Sequence, residues 1–249
     1  ENYQIETLDK KYELKSRKKF INVLKKTDAE IIINCIGIIK QKKSSLGFMT
    51  DINTFFVGDI LENISDKKIL IQPSTDCVFS GKTMKNKNYI NDKPDAKDIY
   101  GLSKILGERI ASSYKNSCLV RSSIIGPDLR KDGLGFFNWL YRSKQNTKIK
   151  GFENHLWNGV TTLEWCKQIE KHVVKNKNKF NNFLSFESPT VSKYQLVKMV
   201  DSILNKNFKI LKFKEKQDLN MSLEGNILCK NLEEQLNELK TFLPKFNNF

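Results

Sequence analysis

Ile69-Leu70-Ile71-Gln72-Pro73-Ser74-Thr75-Asp76-Cys77-Val78-Phe79, with Tyr100-Gly101-Leu102-Ser103-Lys104 further along, is the stretch that decides the reading of this chain. The first part is a short apolar run that gives way to hydroxyls, as a strand does when it ends at a site. The second puts Tyr100 and Lys104 four residues apart at the start of a predicted helix, where positions i and i+4 share a face. A phenol has a pKa of about 10 and is a poor acid at neutral pH, but a neighbouring cation favours phenolate and lowers that value. Lys104 is expected to supply the cation. Tyr100 is then expected to protonate a carbonyl oxygen oriented by Thr75 or Ser74 while a hydride arrives from a nicotinamide. Taken alone, Tyr-x-x-x-Lys is also the pattern of a solvated helix face; the upstream Ser-Thr-Asp is what points to carbonyl reduction.

Working outward, Glu30 to Gly37 is a continuous apolar run ending in a small-residue turn and reads as a buried parallel strand. Gly37 lets backbone approach a ligand at that strand's carboxyl end, where open α/β sheets bind ligands; a strand followed by an ordinary turn is the alternative. Ser16 to Lys26 has helical spacing with Ser16 as N-cap. Asn53 opens a predicted helix whose apolar stripe, Phe55 to Ile64, packs on the sheet. Ser117 to Arg121 is another strand, Leu134 to Arg142 an aromatic helix, and Asn154 to Thr162 fits neither periodicity before a helix from Leu163 to Lys175. Helices near 192–205 and 230–242 and a strand near 208–213 complete a C-terminal lobe.

Several segments together carry a family likeness: Ser74 to Gly81, Asp95 to Lys104, Leu106-Gly107-Glu108, Ile33 to Gly37, Asn53, Val120 to Gly126 and Trp157 to Thr162. In this order they resemble the extended short-chain dehydrogenase/reductases, and most of all their dTDP-4-dehydrorhamnose reductase branch. The resemblance runs from residue 5 to about residue 200 and is densest between 30 and 165. It implies a doubly wound, Rossmann-like parallel sheet and NADPH- or NADH-dependent reduction of a 4-keto-6-deoxy sugar nucleotide in deoxysugar and polysaccharide biosynthesis. It makes Thr75, Tyr100 and Lys104 catalytic. Asp9, Asn34, Cys35, Ile36, Gly37, Ser74 and Ser123 join Tyr100 and Lys104 around the cofactor. Asp76, Val78 and Trp157 join Thr75 around the substrate. It also has Asn53 hold, through its backbone, a water that links Lys104 to solvent; N-capping explains the same residue equally well. Trp157 is either a buried anchor or a platform for base or sugar, and His155 reads as an exposed loop residue.

The chain is 249 residues long with 39% hydrophobic content, enough for one large domain or a domain with a smaller lobe. The expected division is a Rossmann-like domain over 1–150 and a substrate lobe over 151–249, some of whose segments return to the sheet. Five scattered cysteines without Cys-x-x-Cys, and two histidines, argue against a disulfide or metal framework and fit a cytoplasmic location. No membrane-spanning run occurs. The net charge of +15 raises nucleic-acid binding, but 38 of the 43 basic residues are Lys and only five are Arg, dispersed among 25 Asn. Phosphate and base recognition favours Arg, so no specific nucleic acid is expected. The expected partner is a sugar nucleotide; a homodimer is the assembly left open.

Tyr3 to Asp9 alternates like a strand ending in an acid, which the resemblance places at a ribose and which a surface turn explains as well. No glycine precedes residue 37, so a Gly-x-x-Gly-x-x-Gly turn is missing from this sequence. The expectation is either a fragment whose opening lies upstream or a protein that has lost its pyrophosphate cradle, with weak cofactor binding in both cases. An epimerase of the same family and a non-catalytic nucleotide-binding subunit are the alternatives to a reductase.

Overall fold

The computed structural model describes residues 3–7, 17–42, 44–82, 88–128 and 133–243. Its strands are β1 (Ile31–Ile33), β2 (Ile69–Pro73), β3 (Ser117–Arg121), β4 (Ile124–Ile125), β5 (Lys148–Phe152), β6 (His155–Trp157), β7 (Val160–Thr161), β8 (Phe183–Glu187), β9 (Val191–Ser192), β10 (Lys209–Phe213), β11 (Leu219–Asn220) and β12 (Ile227–Leu228). Its helices are α1 (Arg17–Lys26), α2 (Leu46–Thr50), α3 (Phe56–Asn63), α4 (Ile99–Ser112), α5 (Phe136–Arg142), α6 (Thr162–Ile169), α7 (Lys193–Leu204) and α8 (Leu232–Phe242). π-helical segments at Asp51–Phe55 and Glu170–Val174 join α2 to α3 and extend α6.

The central sheet has five parallel strands in the order β1-β2-β3-β8-β12. Period-2 alternation in β2 sends side chains to both faces. Leu70 joins Phe20 and Leu24 of α1 and Phe56, Val57 and Ile60 of α3 on one side. Ile69 and Ile71 join Trp165 and Ile169 of α6 on the other. Leu70 and Ile71 are fully buried, each such side chain stabilising the fold by about 1.5–3 kcal/mol. With helices on both faces of a parallel sheet, this is a doubly wound, Rossmann-like α/β fold. A further core brings Ile125, Phe137, Leu140 and Ile149 together with Trp157 and with Leu196, Val197 and Val200 of α7 and Leu236 of α8.

Some sequence expectations do not hold. Glu30 to Gly37 was expected as a buried strand, but β1 has only three residues, and Ile33 is 42% exposed because nothing among the described residues pairs with its outer edge. The described part of the opening, residues 3–7, forms no strand, and Asp9 and Ser16 lie outside the described residues. Asn53 does not open a helix: the turn begins at Leu46, capped by Ser45, and Asn53 sits in the π segment. The stretch 154–162 contains β6 and β7 rather than an irregular loop, and His155 belongs to β6, stacked on Phe152 with centroids 4.8 Å apart.

Candidate active site

Lys104, Thr75 and Tyr100 converge because α4 starts against the turn that leaves β2. Thr75 caps the one-turn 3₁₀ segment Asp76–Val78, its hydroxyl accepting from the Cys77 N–H at 3.2 Å. Asp98 caps α4, its carboxylate accepting from the Gly101 N–H at 3.1 Å. Gly101 is required by this docking: a Cβ there would lie 2.4 Å from the Ala96 Cβ and 2.6 Å from the Cys77 carbonyl oxygen. Helix α4 also presses on the π segment, where a Cβ on Gly107 would lie 2.3 Å from the Asn53 carbonyl oxygen. The Asn53 side chain ties the two together, accepting from the Ile38 N–H at 2.9 Å and donating to the Ser103 hydroxyl at 3.0 Å.

Around the reacting groups, the Thr75 hydroxyl donates to Asp76 at 2.9 Å, and both residues are buried. Burial first, then the neighbouring Cys77, pushes the Tyr100 phenol above its ordinary pKa; a hydrogen bond with Thr75 opposes this, and Asp76 and Asp98 add to the rise. The expected lowering of the Tyr100 pKa by Lys104 is therefore not what this geometry gives. Lys104 instead donates to the Pro73 carbonyl at 2.8 Å, and its burial lowers its pKa to about 8, with Glu108 acting in the opposite direction. Lys104 can release a proton near neutrality, whereas Tyr100 keeps its proton to donate.

Glu108 was quoted within a motif but given no role by sequence reasoning. It accepts from the Ser74 hydroxyl at 2.5 Å and from Arg121 Nε at 3.1 Å and Nη2 at 2.8 Å. Arg121 in turn lies over the Phe79 and Phe183 rings, 5.2 and 4.9 Å from their centroids. The signal was available: Tyr100, Lys104 and Glu108 are spaced i, i+4, i+8, and Arg121 is a lone charge ending an apolar strand.

The other residues singled out from the sequence divide by what they touch. Asn34 is buried at the carboxyl end of β1, donating to the Gln72 side chain at 2.8 Å and accepting from the Ile36 N–H at 3.1 Å, which brings Asn34 to Gly37 beside β2. Cys35 is exposed there. Ser74 is engaged by Glu108. Ser123 accepts the Trp157 indole N–H at 2.6 Å, and Trp157 is 4% exposed, so it is a buried anchor. The Val78 side chain is wholly buried against Phe79 and Leu223 and does not line a cleft. The residues fit the nicotinamide end of a dinucleotide: a part-buried ammonium and two hydroxyl-bearing side chains stand at the carboxyl ends of parallel strands. For the pyrophosphate, the described residues hold no glycine-rich turn. Among the described residues no cluster of His, Cys, Asp or Glu is placed to hold a metal ion, and no helix is long and apolar enough to cross a membrane.

A sequence profile described as the RmlD substrate binding domain matches residues 2–150. None of the curated proteins compared matches the sequence. Among solved structures, the chain is similar to dTDP-4-dehydrorhamnose reductase of Bacillus anthracis in complex with NADP, with 17% identity and a TM-score of 0.74 over 90% of this chain and 84% of that one. It is likewise similar to dTDP-4-dehydrorhamnose reductase of Yersinia enterocolitica, with 17% identity and a TM-score of 0.73 over 96% and 89%. A third likeness is to the NAD complex of dTDP-glucose 4,6-dehydratase from Bacillus anthracis, with 18% identity and a TM-score of 0.69 over 94% and 79%.

Proposed function

Because the chain belongs to the RmlD substrate binding domain family, we propose that it is an NAD(P)H-dependent oxidoreductase that reduces the ketone of a 4-keto-6-deoxy sugar nucleotide. The observation that carries this reading is the meeting of Tyr100 with Thr75 and its partner Asp76 at the carboxyl end of β2, with Lys104 one turn along α4 from the tyrosine.

A reduced nicotinamide supplies the hydride. The chain's own part is to hold the ketone and move a proton. The substrate oxygen sits between the Tyr100 and Thr75 hydroxyls and accepts from both, the Thr75 proton turning to it from Asp76. As negative charge develops on that oxygen, Tyr100 transfers the proton that its buried setting keeps in place. Thr75, held by the Cys77 N–H, orients the oxygen. Lys104 turns from the Pro73 carbonyl toward the nicotinamide ribose and the phenolate that Tyr100 becomes. Asn34 to Gly37 border the adenosine side.

Isotope transfer tests the proposal. A nicotinamide deuterated at the transferred position should leave deuterium on the reduced sugar carbon, detected by mass spectrometry. An epimerase would change a stereocentre without net deuterium gain, and a binding subunit would leave the ketone intact; either outcome defeats the reductase reading.

A further inference from the structure

Lys193 has no part in the chemistry above and is an odd residue for its place. It is the first residue of α7, a twelve-residue helix opened by a capping box in which Ser192 and Gln195 satisfy each other's backbone N–H groups. Its side chain folds back from that surface into the molecule. The ammonium lies 4.9 Å from the Trp157 ring centroid and 5.3 Å from that of Phe136. Part-buried, it stands within electrostatic reach of Asp76 and Cys77 on the catalytic turn, and desolvation lowers its pKa below the ordinary lysine value while both neighbours oppose this. It makes no hydrogen bond or ion pair with any described residue, and the nearest carboxylate, Asp76, is engaged by Thr75.

A part-buried ammonium held against two ring faces, with no anion paired to it among the described residues, is open to an anionic ligand. Ring faces give about 0.5–2 kcal/mol, less than a paired charge in the same setting. The group that completes the site must carry negative charge, lie beside the carbonyl held by Thr75, and fit the positive end of a helix. A sugar hydroxyl supplies no charge; the anion in a sugar nucleotide is its diphosphate.

We infer that Lys193 binds the diphosphate of the sugar-nucleotide substrate, with Trp157 and Phe136 as the walls that hold its ammonium beside the catalytic turn. This rests on the reading that the substrate is a sugar nucleotide. It names the residue that recognises the anionic part, and the aromatic pair that fixes its reach. Trp157, anchored through its indole N–H to Ser123, serves the substrate through Lys193 rather than by stacking on a base.

The test is calorimetric titration of the whole chain and its Lys193→Met and Lys193→Arg variants with thymidine diphosphate, thymidine and inorganic pyrophosphate, without nicotinamide. Thymidine diphosphate should bind the parent and Lys193→Arg within a few-fold of each other. It should bind Lys193→Met about 10- to 100-fold more weakly, the effect of losing a charge-assisted hydrogen bond. Thymidine, which has no phosphate, should bind all three alike. The melting temperature of Lys193→Met should not fall, because the substitution removes a partly desolvated charge and keeps an apolar stem. Equal diphosphate binding by the parent and Lys193→Met overturns the assignment, as does a parent that binds neither diphosphate nor pyrophosphate, or an equal loss for thymidine. Deuterium transfer to the ketone is a separate readout, so failure of reduction with intact Lys193-dependent binding would count against the reductase alone.

Discussion

Lys104 is held by opposing influences, and the balance makes its charge dependent on pH. Burial favours the neutral amine and Glu108 favours the ammonium, leaving the pKa at about 8. If the charged form assists Tyr100, activity falls as pH rises through about 8. Glu108→Gln removes the raising influence, so that fall should begin at a lower pH. Glu108→Gln also leaves Arg121 buried without its carboxylate, which costs about 3–5 kcal/mol, so its melting temperature drops too. The stability effect of Lys104 has the opposite sense from that of a paired group. Its folded pKa lies below the unfolded value of 10.5, so the unfolded chain binds more protons between the two values and stability rises from about pH 8 to 10.5. A pH series of denaturation midpoints on the parent and Lys104→Met checks it: the rise should vanish in the variant. That Thr75, Tyr100 and Lys104 stand near one another was legible in the sequence because the proposed chemistry constrains both residue type and spacing. The burial of Val78 and the partners of Ser74 and Ser123 were not, because a sequence does not show whether a side chain faces a cleft, a core or another polar group.

At the scale of elements, α4 is positioned by two glycines, and each opposes its own helix propensity. Replacing an interior helical Gly by Ala ordinarily adds about 1 kcal/mol of stability. At Gly107 the added Cβ would meet the Asn53 carbonyl oxygen at 2.3 Å, a backbone atom within the π segment that cannot swing aside. Overpacking of this kind costs about 1–3 kcal/mol, so Gly107→Ala should lower the melting temperature. An unchanged or higher value would mean that the contact relaxes freely. The sheet edge gives a second element-scale expectation. β1 is three residues long with Ile33 largely open, whereas β2 and β3 are almost wholly buried, so the amides of β1 should exchange with solvent faster than those of Leu70 to Gln72. Equal protection would show that the outer edge of β1 is covered. The strands at 69–73 and 117–121 and the helices α7 and α8 were legible because apolar periodicity marks them. The start of the Asn53 helix was not, because an Asn before an apolar stripe looks like a cap whether or not the chain is already helical.

For the whole molecule, the family-level architecture was legible from motif order, while the way the second core recruits Ile125, Phe137 and Ile149 with α7 and α8 depended on contacts distant in sequence. The +15 charge is carried mostly by Lys, and the one that matters most to the proposed chemistry besides Lys104 is the part-buried Lys193. Any DNA binding should be insensitive to sequence and lost at moderate salt. A specific oligonucleotide retained at about 10 nM in 0.15 M salt, the range of specific binders, would contradict that. The central claim is that Tyr100 protonates a ketone oxygen, and turnover of dTDP-4-dehydrorhamnose by the parent chain and Tyr100→Phe tests it most directly. NADPH or NADH is raised to about 1 mM, the upper end of common Michaelis constants. Ketone-dependent oxidation of the cofactor by the parent, falling about 10²-fold in Tyr100→Phe with thymidine diphosphate binding unchanged, is the predicted result. No ketone-dependent oxidation by a parent that binds both molecules, or a Tyr100→Phe rate within a few-fold of the parent, would contradict it.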